Sequence, residues 1–119
     1  MAEVTEGEVR GQVLEWFHEV WNPDVSLIEW RTKLLESGWA VPSWSTEWFG
    51  QGLPAWADGV AHSAIRTAGG VALPLGAASS LAAPTLYEHA NDDLKGRALR
   101  PALTGEHTWC QLFSEPGAG

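Results

Sequence analysis

"SLIEWRTKLLESG", Ser26 to Gly38, decides the class of the fold. Ser26 is followed three residues later by Glu29, a capping box in which each side chain satisfies the other's free backbone N–H. Leu27, Ile28, Leu34 and Leu35 then recur at helical spacing, with the stem of Arg31 at the edge of the stripe. Gly38 stands where a left-handed C-terminal cap is wanted. The stretch is a helix with both ends written into it.

Working outward, "GEVRGQVLEWFHEVW" places Val9, Val13, Trp16, Phe17 and Val20 on one helical face. That predicts a helix over residues 6–21, which Asn22-Pro23 interrupts because a residue before proline is pushed out of the helical region. On the other side, "WAVPSWSTEWFGQGLP" has two prolines, two glycines and no steady period, so it reads as a structured aromatic loop. Pro54 suits the first turn of a third helix in "PAWADGVAHSAIRTAGG", which Gly69-Gly70 stops. The stretch from Ala72 to Asn91 looks helical in its second part. There Pro84 either kinks the helix or sits in the first turn of "PTLYEHA".

Asn91 caps a last helix, "DDLKGRALRPAL", which Pro101 and Gly105 bring to an end. Beyond Gly105, "HTWCQLFSE" alternates loosely and is bounded by Pro116, so it reads as one strand. Its N–H and C=O groups need a pairing partner that the helical remainder does not offer. The expectation is a mainly α chain of about five helices ending in one β-strand, with the domain boundary near Gly105 dividing residues 1–105 from 106–119.

The bulk numbers bound the function. At 119 residues the chain supports a single core. A net charge of −8, with only seven Lys and Arg, excludes a phosphate-binding surface of the nucleic-acid type. Cys110 is the only cysteine, so no intrachain disulfide forms. "MAEVTEGEVR" lacks the cationic and apolar regions of a signal peptide. The run "AGGVALPLGAASSLAAP" is broken by glycine, proline and serine and falls short of a membrane-spanning helix. A cytoplasmic protein is the expectation. Seven of the eight tryptophans fall within the first half of the chain, where they serve either core packing or a partner surface.

The residues taken singly carry little chemistry. His18, His62, His89 and His107 show no HxxxH or HxxE pairing and Cys110 has no CxxC mate, so no metal site is expected. His18 and His62 read as helix-surface or boundary residues, and Glu47 as solvent-facing. There is no GxSxG and no glycine-rich phosphate loop between a strand and a helix. Asp92-Asp93 is explained by the macrodipole of the helix it opens. No catalytic residue is nominated.

The end of the chain says more. "LKGRALRPALTGEHTWCQLFSEPGAG" resembles the junction between the N-terminal helical domain and the middle β-domain of the acyl-CoA dehydrogenases. The family pattern there is a helix ending in a Gly-Glu-type turn, then a strand with an aromatic residue and a cysteine leading into [ST]-E-P-G-A-G. It is matched by Trp109, Cys110, Ser114, Glu115, Pro116, Gly117, Ala118 and Gly119. "LLESGWAVPSWSTEWFGQGL" is similar, more loosely, to the family's passage between its second and third helices.

The resemblance implies a flavin-dependent acyl-CoA dehydrogenase, of which this chain is the N-terminal helical domain plus the first strand of the next. In that family the strand runs beside the flavin ring of FAD, which maps onto Gln111, Leu112, Phe113 and Ser114, with the Ser114 hydroxyl the main contact. A buried flavin edge carries N–H and C=O groups that a strand end can satisfy; the lesser alternative is that Ser114 merely opens a turn. The resemblance places Gly117 and Gly119 near the acyl-CoA, and the stretch from Ala72 to Tyr87, including Gly76, Ser79 and Ser80, at the wall of the acyl pocket. The small side chains there leave room for a long, branched or polycyclic acyl group, or simply permit close helix packing.

The family's catalytic base, a carboxylate that removes the α-proton while hydride leaves Cβ for the flavin, belongs to a C-terminal domain beyond residue 119. The chain alone is therefore expected to be inactive. The resemblance also implies an electron-transfer flavoprotein as acceptor and a homo- or hetero-oligomer. A different class stays open, a non-enzymatic truncated helical module or structural subunit that packs on a complete partner.

Overall fold

The computed structural model describes residues 3–74 and 78–110, with the backbone alone at Ala78. Five α-helices are present among them: α1 (Glu6–Val20), α2 (Leu27–Ser37), α3 (Trp56–Thr67), α4 (Ala83–His89) and α5 (Asp92–Thr104). A 3-10 turn covers Thr46–Trp48 and a π-helical turn covers Ala78–Ala82. The chain divides into two compact units, Met1–Leu73 and Pro74–Gly119.

In the first unit, Thr5 opens α1 by accepting from the Glu8 N–H at 3.2 Å, and Glu6 and Glu8 lie where the helix dipole favours them. Ser26 Oγ accepts from the Glu29 N–H at 3.1 Å, one half of the capping box, and Gly38 closes α2 with a left-handed φ of 86°. Val9, Val13 and Phe17 of α1 are buried, as are Leu34 and Leu35 of α2. The α2 stripe differs from expectation at its first turn. Trp30 is 1% exposed, whereas Leu27 is 45% and Ile28 38% exposed. Side chains on a helix lean toward its N-terminus, so the large Trp30 indole fills the core beside that turn.

Trp30 is the centre of an aromatic cluster. Its ring meets Trp21 edge-on at 4.7 Å, Phe17 edge-on at 5.9 Å and Trp16 in a stack at 5.4 Å, and Phe17 stacks on Trp21 at 5.3 Å. These are the offset and T-shaped arrangements that the ring quadrupoles favour. Trp30 Nε1–H donates to the Val71 carbonyl at 2.6 Å, which satisfies the indole inside the core. α3 packs against α1, and its buried face carries Ala57, Val60, Ala61, Ala64 and Ile65, of which the three alanines leave room for close backbone approach. Pro54 stands just outside α3, and its carbonyl accepts from the Ala57 N–H at 2.9 Å. After α3 the chain turns at Gly69 (φ 93°), and Gly70 lies flush against the Phe17 ring.

In the second unit the two alternatives for Pro84 resolve to the first turn of α4. Proline has no N–H to offer the Ser80 carbonyl and its ring crowds that carbonyl, so the wide π turn precedes the helix. Asn91 Oδ1 caps α5 by accepting from the Leu94 N–H at 2.9 Å. α5 contains Pro101, as the expected stretch did, runs on to Thr104 and closes at Gly105 (φ 89°). The proline removes one bond, to the Arg97 carbonyl, while burial of Leu99, Ala102 and Leu103 holds the last turns. Thr104 Oγ1 donates to the Arg100 carbonyl at 2.9 Å, and the His107 N–H donates to the Pro101 carbonyl at 3.0 Å. Of the expected strand, residues 107–110 take no regular secondary structure and the rest lies outside the described residues.

Candidate functional site

The residues that the resemblance assigns to the flavin edge, Gln111, Leu112, Phe113 and Ser114, lie outside the described residues, as do Gly76, Gly117 and Gly119. Three implied acyl-wall residues are described. Ala72, 8% exposed, belongs to the first unit, one residue after the Val71 carbonyl that Trp30 holds. Ser79 and Ser80 belong to the second unit, on the π turn; Ser79 Oγ donates to the Pro74 carbonyl and Ser80 is exposed. The Ser79 hydroxyl thus ties the wide turn to the residue that leads into it.

The long connection between α2 and α3 is the most elaborate part of the first unit. The Gln51 and Leu53 N–H groups share the Pro42 carbonyl at 3.1 and 3.0 Å, and the Gly52 N–H donates to Trp44 at 2.8 Å. Gly50 lies so close to the Trp44 carbonyl that a Cβ there would approach its oxygen to 1.9 Å. Two side chains one turn apart on α3 grip this loop. Asp58 accepts from the Ser43 N–H at 2.9 Å and from Ser43 Oγ at 2.6 Å. His62 Nε2 donates to the Ala40 carbonyl at 2.5 Å, so its hydrogen sits on Nε2. Asp58 bonds the serine directly and His62 bonds a carbonyl. The three therefore lack the order in which an imidazole activates a hydroxyl, and they act as a loop clamp.

An open groove of about 340 Å³ lies between the end of α2 and this loop, with Leu35 and Phe49 as apolar lining and Ser37, Glu47 and Gln51 among the polar residues. Phe49 holds a left-handed φ of 71°, an unusual conformation for a bulky residue. Glu47 is exposed, as expected. On α2, burial lowers the pKa of Arg31, and its Nε is closed to water without an acceptor. Among the described residues no group of three or more His, Cys, Asp or Glu is placed to hold a metal ion, and no helix is long and apolar enough to cross a membrane.

Sequence reasoning passed over two of these features. Trp30 lies three residues after Leu27 and four before Leu34, so the α2 period alone placed it on the buried face. Asp58 and His62 are four apart on an otherwise alanine-rich helix face, the spacing at which two side chains reach the same neighbour.

Comparison with known proteins agrees with the helical architecture. The family described as "Acyl-CoA dehydrogenase, N-terminal domain" matches residues 1–106. The chain belongs to this family. A curated relative, acyl-CoA dehydrogenase FadE34 of Mycobacterium tuberculosis, is 53% identical over 38 residues, covering 32% of this chain and 5% of that protein's length. The chain thus aligns with a small part of the curated relative. No solved structure matches.

Proposed function

We propose that this chain is the N-terminal part of a flavin-dependent acyl-CoA dehydrogenase acting on the α,β-bond of an acyl-CoA thioester. The observation that carries the reading is the family match over residues 1–106, joined at its end to the Trp109–Gly119 motif. Bound FAD supplies the hydride acceptor. Within that enzyme residues 1–105 form the helical domain, and residues 106–119 begin the β-domain. Gln111, Leu112, Phe113 and Ser114 line the flavin edge, with the Ser114 hydroxyl bonding it. Ala72, Gly76, Ser79 and Ser80 contribute acyl-pocket wall, and Gly117 and Gly119 let the backbone turn beside the thioester. The catalytic carboxylate comes from elsewhere in the enzyme, electrons leave to an electron-transfer flavoprotein, and the working form is an oligomer.

The test begins with the visible spectrum of the purified 119-residue chain after incubation with FAD and desalting. The expected result is that no flavin co-elutes. Stoichiometric retention overturns the assignment of only part of a flavin site to these residues. In the enzyme that carries this sequence, acyl-CoA bleaches the bound flavin, and Ser114→Ala weakens flavin retention about tenfold, the effect of one buried hydrogen bond. An enzyme that binds no flavin refutes the reading outright.

A further inference from the structure

We draw no further inference here: the strongest candidate, the open groove between the end of α2 and the loop that follows it, is lined by Leu35, Phe49, Glu36 and Glu47, but two acidic residues beside an apolar floor do not name a ligand and nothing in the structure shows what covers it.

Discussion

Gly70 is where the first unit tolerates least. It has no left-handed φ, so substitution there tests packing alone. A Cβ on this residue would stand 2.3 Å from Phe17 Cε2, 2.8 Å from Cζ and 3.1 Å from Ile65 Cγ2. Carbon atoms rest at about 3.5–4.0 Å, so the ring must retreat by more than about 1 Å. Its retreat is blocked by Trp21, stacked at 5.3 Å, and by Trp30 at 5.9 Å. Overpacking of this kind costs about 1–3 kcal/mol. Against it stands the smaller unfolded-state entropy of alanine, which contributes about 0.4–1 kcal/mol in the other direction. The clash wins, and Gly70→Ala lowers stability by about 1–2 kcal/mol, or roughly 4–8 °C in Tm for a chain of this size. Thermal and urea melts followed by far-UV circular dichroism measure it. The partner change Phe17→Leu opens room at the same spot, so the double variant is more stable than the sum of the singles by about 1 kcal/mol. A Gly70→Ala chain as stable as the parent, or a strictly additive cycle, refutes the packing argument.

The other expectations are brief. Trp30→Phe keeps an aromatic ring but leaves the Val71 carbonyl without its donor; urea unfolding shows a loss of about 2 kcal/mol, and the amides of residues 69–73 exchange faster. Asp58→Ala removes both bonds to Ser43 and costs about 1.5–3 kcal/mol. Asp58→Asn costs less, about 0.5–1 kcal/mol, because the Ser43 hydroxyl can turn from donor to acceptor. Hydrogen exchange at the Ser43 amide ranks the two; equal exchange in both assigns the clamp no role.

What was legible in the sequence was local. Ser26 and Asn91 cap because a short side-chain oxygen reaches the third N–H beyond it, and Gly38 and Gly105 stop helices because they adopt positive φ cheaply. Each of these decisions needs only four or five consecutive residues. How far α5 runs beyond Pro101 is decided less locally. The proline's local penalty is real, but tertiary burial of Leu99, Ala102 and Leu103 outweighs one missing bond. The Trp30–Val71 bond joins residues 41 apart, and the grip of Asp58 on Ser43 spans 15, so neither follows from a window of sequence. The division at Leu73 depends in the same way on which helices pack together. The candidate site divides along the same line. The residues proposed for the flavin side were read from a motif, whereas the Trp30 bond to Val71 and the Ser79 bond to Pro74 appear only with the chain folded.

The gathering of tryptophans gives the molecule a lopsided optical behaviour. Seven of its eight indoles belong to Met1–Leu73, and three of them, with Phe17, share one cluster of rings 4.7–5.9 Å apart. Ultraviolet emission therefore reports almost wholly on α1–α3, while Pro74–Gly119 contributes Trp109 and Tyr87. Helical ellipticity, by contrast, is drawn from all five helices. Followed together, the two signals resolve melting of one unit from melting of the other without any label being attached.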